Sequence, residues 1–191
     1  MATPTTSKGL TMKRVIRTAI FFTLVVTAVS GQTQEMPQRT CRECKITKEY
    51  DRFKDHTSFN LTPMAVAEVS DGTMFIWAAG GYKGQTPAKN KVCVIAITFV
   101  TRRAFSASNT ELAALVDGKP ETFGALTLSS RSALSYAQTV TYSRVAKVSH
   151  VRKIASAGKV EMRFGGIEFQ LSRDQRYAIL DLLSDLEGAS N

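Results

Sequence analysis

The sequence predicts an α+β domain: a mostly antiparallel β-sheet or partial barrel packed by a C-terminal amphipathic helix. Three observations carry this reading. From Ile46 onward the apolar residues fall in short alternating or β-branched runs separated by turn residues. Residues 160–171 read as a hairpin closed by Gly165-Gly166, and residues 172–188 read as a helix with a signal at each end. Sheet followed by a covering helix is one of the few layer arrangements that bury both apolar faces.

Taken in order, KEYDRF and TSFNLT open the β region, and MAVAEV alternates through Met64, Val66 or Ala67, and Val69. Asp71-Gly72 then predicts a hairpin turn into TMFIWAA, residues 73–79. GGYKGQTPAKNK is expected to be a long Gly- and Lys-rich loop, and VCVIAITFV, residues 92–100, a buried strand. ELAALVDGKPETFGALTL reads as two short strands around Asp117-Gly118, with a helical turn over Glu111–Val116 as the alternative. A short helical segment over 149–157 precedes the final hairpin. In that hairpin Val160, Met162 and Phe164 share a face with Ile167, Phe169 and Leu171. Ser172 and Gln175 have the spacing of a capping box, Asp174 suits the positive helix end, and Gly188 supplies the stop.

Composition fits a globular chain: of 191 residues, 43% are hydrophobic and 21% charged. The formal charge of +9 suggests a polyanion partner at first sight. Four basic residues and no acids fall in residues 1–30, which leaves 21 basic against 16 acidic groups in the remainder. Those charges are scattered, so nucleic acid is not the expected partner. Lys147, Arg152 and Lys153 are the nearest thing to a cluster and are the candidate polyanion contacts.

Residues 12–31, MKRVIRTAIFFTLVVTAVSG, differ from everything that follows. Lys13, Arg14 and Arg17 precede an apolar run from Ala19 to Val29, and Ala28-Val29-Ser30 offers small residues for a peptidase. Crossing a ~30 Å bilayer takes ~20 apolar residues, whereas a secretory signal needs only ~7–15. The run therefore predicts a cleavable signal over about residues 12–30, and a secreted or periplasmic protein with no stable transmembrane span after processing. Met12 reads as a better start than Met1. The expected organisation is an N-terminal extension and signal peptide over 1–30, a flexible lead-in carrying Cys-x-x-Cys over 31–45, and one domain over 46–188.

Cys41, Cys44 and Cys93 are the thiol candidates. Three cysteines in an exported chain point to one disulfide and one spare thiol. Cys41-Arg42-Glu43-Cys44 is also half of a tetrahedral metal site, with His56 and Cys93 as the completions the sequence offers. A redox role would want a strand before the motif and a helix after it, which the flanking residues do not suggest. Neither histidine, His56 or His150, is accompanied by a nucleophile pattern. GGYKGQT lacks the spacing of a phosphate loop. Phe75 and Trp77 share a strand face, for which core packing is the default reading. Asn60-Leu61-Thr62 is a glycosylation sequon.

Residues 150–186, HVRKIASAGKVEMRFGGIEFQLSRDQRYAILDLLSDL, loosely resemble a type of uncharacterised exported bacterial domain. In these an "IA-A" turn leads to a "VE-R-G—F-LS" hairpin and a final amphipathic helix. The resemblance implies a small exported β-rich fold and transfers no catalytic residue. The expectation for function is a binding or structural accessory module of the cell envelope or extracellular space, needing no cofactor. Its partner would be an envelope component or another protein. A small thiol-dependent redox protein or hydrolase, and a polyanion-binding module, are the alternatives.

Overall fold

The computed structural model describes residues 44–87, 89, 91–133 and 136–188, all within one compact unit, Pro37–Asn191. The signal segment, most of the lead-in and Cys41 lie outside the described residues. The architecture is α+β: eleven strands in two antiparallel sheets and two helices, with no closed barrel among the described residues.

The larger sheet has the order β1-β2-β4-β5-β9-β8. β1 (Ile46–Asp51) and β2 (His56–Leu61) form a hairpin. β3 (Met64–Val69) also pairs with β4 (Gly72–Lys83), beyond the end of β2. β2 and β3 thus form one line beside β4, interrupted at Thr62-Pro63. Pro63 has no N–H to give a ladder, so the interruption falls where that loss matters least. Across the gap the amide and hydroxyl of Thr62 both donate to the carbonyl of Lys45, at 2.9 and 3.0 Å.

β5 (Val92–Thr101) is central, paired with β4 on one side and β9 (Gln138–Ala146) on the other. Its Val/Ile-rich composition follows from that place: Cys93, Ile95, Ile97 and Phe99 are buried on one face, Ala96 and Thr98 on the other. β8 (Thr127–Ala133) closes the far edge.

The smaller sheet has the order β11-β10-β6-β7, from β6 (Glu111–Val116), β7 (Lys119–Ala125), β10 (Val160–Phe164) and β11 (Ile167–Gln170). Segment 111–116 is therefore a strand; the helical alternative is overturned, because Leu112, Ala114 and Val116 alternate into the core against β10. The β10–β11 turn is as expected, with Gly165 and Gly166 at φ of 60° and 83°, a region open to glycine and closed to β-branched residues. The sheets meet through aromatic rings: Phe164 lies 6.1 Å from Phe99 and 5.4 Å from Tyr142, centroid to centroid.

α1 (Val148–Ala155) links the sheets, and α2 (Arg173–Glu187) packs over β2 and β4. The capping box of α2 is complete, with Ser172 accepting from the Gln175 amide and Gln175 accepting from the Ser172 amide. Gln175 also donates to the carbonyl of Ala65 at 2.8 Å, tying the helix start to β3. Leu182, Leu183 and Leu186 are fully buried beneath it.

Two expectations for β4 need correction. Residues 80–83, GGYK, belong to the strand rather than the loop, which begins at Gly84. Their glycines serve close packing instead of a turn: a Cβ at Gly80 would stand 2.7 Å from Leu186 Cδ1. Phe75 and Trp77 do share a face, but it is the outer one. The core runs through Met74, Ile76 and Ala78, and the two aromatics are only partly buried, on the other side.

Candidate functional site

Three sequence-distant segments meet at the end of the larger sheet that carries the β4–β5 loop. That loop brings Lys89 and Lys91; the N-cap of α1 brings Lys147 and its last turn Arg152; the end of α2 brings Glu187. Together they line an open cleft of about 830 Å3. Pro87, also in its wall, packs against Gly188 at the α2 cap, which anchors the loop to the helix end.

The cleft is electropositive for two reasons. Four cations face one carboxylate, and Glu187 is already bound to Arg152 at 2.5 Å. Lys89, Lys91 and Lys147 have no carboxylate partner among the described residues. Second, α1 begins without a side-chain cap and with no acid in its first turn. Its positive end is left uncompensated on the side of the cleft, which favours an anion there.

The expected polyanion contacts separate here. Lys147 faces the cleft unpaired, and Arg152 lines it while bound to Glu187. Lys153 turns the other way, to Glu121 on β7. That hydrogen bond, the largest effect, holds the Glu121 carboxyl below its ordinary range; burial opposes it, and the charge of Lys153 and then of His150 adds to it more weakly. His150 completes this second cluster, with Nε2 3.6 Å from Glu121 and its ring 4.9 Å from Phe123. Adjacent residues of α1 thus serve different neighbours, Arg152 reaching α2 and Lys153 reaching the smaller sheet. Sequence reasoning missed Lys89 and Lys91 as site residues; the Lys-x-Lys spacing in an exposed loop was the available signal.

Among the described residues the metal candidates do not assemble, and Cys41 lies outside them. Cys93 is free and wholly buried in β5, and burial pushes its thiol up to about 11. Cys44 precedes β1 and is not free, while His56 lies at the other end of the β1–β2 hairpin, opposite Asp51. No group of three or more metal-ligating side chains occurs among the described residues. A second cleft, about 340 Å3, lies along the smaller sheet, but its charged groups are matched: Glu161 with Lys159, Glu168 with Arg163, and Glu121 with Lys153. No helix among the described residues is long and apolar enough to cross a membrane. Compared with protein-family models, curated proteins and solved structures, the chain matches none.

Proposed function

We propose that the chain is an exported binding module of the cell envelope or extracellular space that holds a polyanion in the basic cleft. The observation that carries this reading is the meeting of Lys89, Lys91 and Lys147, drawn from segments more than fifty residues apart, in one cleft whose carboxylate, Glu187, is held by Arg152. Unpaired like charges repel, so a cluster of this kind becomes more favourable when an anion is bound. The open shape suits an extended ligand running across the surface, such as a sulfated glycan or a phosphate polymer. Export is supported by the charged, apolar and small-residue order of residues 12–31.

The test of binding uses the full chain and inorganic polyphosphate as probe. With three lysine contacts, affinity should fall about 40-fold between 50 and 200 mM salt, by the counterion-release slope of roughly −0.9 per contact. Replacing Lys89, Lys91 and Lys147 together by Gln should abolish that dependence. A flat salt response, or binding unchanged in the triple variant, would reject the cleft. Export is tested separately by mass spectrometry of protein recovered outside the cytoplasm. An N-terminus near Gly31 or Gln32 supports it; an intact peptide spanning Val29 to Glu35 opposes it.

A further inference from the structure

The end of the larger sheet that carries the basic cleft also carries the most exposed large apolar side chain of the described residues. Phe53 is 86% exposed, at the tip of the β1–β2 hairpin. Pairing fixes where that tip lies. His56, the first residue of β2, is opposite Lys83, the last of β4, and Cys93 of β5 is opposite Ala146 of β9. The tip, the β4–β5 loop and the start of α1 therefore leave the sheet at one end. The first two are joined directly: the Gly84 amide donates to the carbonyl of Asp55 at 2.8 Å, and Thr57 Oγ1 donates to the carbonyl of Gly84 at 2.6 Å.

Single exposed apolar side chains are common on protein surfaces, but this one is held out by a built turn. The Asp51 carboxylate accepts from the amides of Phe53 and Lys54 at 2.9 and 3.2 Å. The Tyr50 hydroxyl donates to Asp55 Oδ1 at 3.0 Å, and Asp55 takes a left-handed φ of 47°, which Asp tolerates. The Arg52 guanidinium lies 4.8 Å from the centroid of the Phe53 ring. Asp51 and Asp55 balance Arg52 and Lys54, so the tip is neutral as a whole. The positive charge beside it comes from Lys83 and from the cleft lysines, Lys89, Lys91 and Lys147.

We infer that this end of the molecule docks on an anionic lipid bilayer, with Phe53 entering between the headgroups and the cleft lysines resting on their phosphates. The inference depends on the reading of the cleft as a polyanion site and names its partner. One ring surrounded by charged side chains is a poor anchor for a protein, because binding hot spots cluster in packed pockets shut off from water. The same arrangement suits a bilayer: the ring reaches the acyl boundary while Arg52 and Lys54 stay at headgroup level. Neither half is enough by itself. Burying one Phe side chain changes partition about 10- to 100-fold, and each lysine near an anionic surface changes it about fivefold. An apolar insertion and a basic patch on one end of the molecule combine, as they do in other peripheral anchors.

Co-sedimentation of the full chain with lipid vesicles tests this. Vesicles of phosphatidylglycerol and phosphatidylcholine in equal parts should carry the chain down, and vesicles of phosphatidylcholine alone should not. Phe53→Ser should weaken vesicle binding about 10- to 100-fold and leave polyphosphate binding unchanged. Replacing Lys89, Lys91 and Lys147 together by Gln should weaken both. In Phe53→Trp, emission should move to shorter wavelength on vesicle binding and be quenched by lipids brominated on their acyl chains. Wild-type emission, which comes from Trp77 alone, is the reference. Binding of polyphosphate without binding of anionic vesicles would overturn the inference and leave the cleft standing; binding of neither would end both. Vesicle binding equal in Phe53→Ser and the wild type, or an unquenched Phe53→Trp, would also overturn it.

Discussion

Leu186 on α2 stands directly over Gly80 on β4, its Cδ1 2.7 Å from where a Cβ would sit. The C-terminal helix reaches the sheet here because the strand presents no side chain. Gly80→Ala should cost about 1–3 kcal/mol by overpacking, and Leu186→Ala about 2–5 kcal/mol by cavity formation. Combined, they should cost less than the sum, since truncating Leu186 makes room for the new methyl. Recovery should be partial, because the carbonyl of Val92 also lies 2.9 Å from the same point. Denaturant melts of the two single variants and the double variant check this; strict additivity would mean the residues do not touch.

Cys93 should behave as an inert core residue. With its thiol pushed up to about 11 by burial, it should resist iodoacetamide in the folded chain at mildly alkaline pH and label fully in denaturant. The sign of the pH effect follows. An unfolded thiol ionises near ~8.5 and the folded one only near about 11, so the unfolded state holds fewer protons between them and stability falls as pH rises through that window. Cys93→Ala should flatten this alkaline decline. A steep decline retained in the variant would assign it to other groups.

Asp181 on α2 is shifted in the same direction as Cys93, in the acid range. Partial burial, then the neighbouring Asp185, raises its carboxyl above the ordinary Asp range. The ionised form is therefore disfavoured in the folded chain, and Asp181→Asn should stabilise at neutral pH by a few tenths of a kcal/mol, about what a partly exposed site allows. The gain should disappear as pH falls below the raised value, where both side chains are neutral. Thermal melts across pH 3–8 read it; a gain that persisted in acid would mean the effect is not electrostatic.

What the sequence revealed and what it hid follow from how far apart the determinants lie. The β10–β11 hairpin and α2 were legible because two glycines fix one turn and Ser172 and Gln175, three residues apart, fix one cap. β9 was not recognised, although Val140 and Tyr142 alternate, because its pairing partner β5 lies about forty residues away. β8 has no apolar face at all; every residue is exposed and only its neighbour makes it a strand. Trp77 was assigned to the wrong side because β4 is apolar on both faces, and alternation alone does not say which one the rest of the chain will cover. The cleft was half visible. Lys147 and Arg152 could be picked out, but only the folded chain brings Lys89 and Lys91 beside them.

The interruption at Pro63 has a mechanical consequence. Since no ladder bond crosses it, the first hairpin and the following strand hold their registers on β4 through separate ladders. A slip in one need not be passed to the other, and the clasp between Ala65 and Gln175 fixes the second independently of the first.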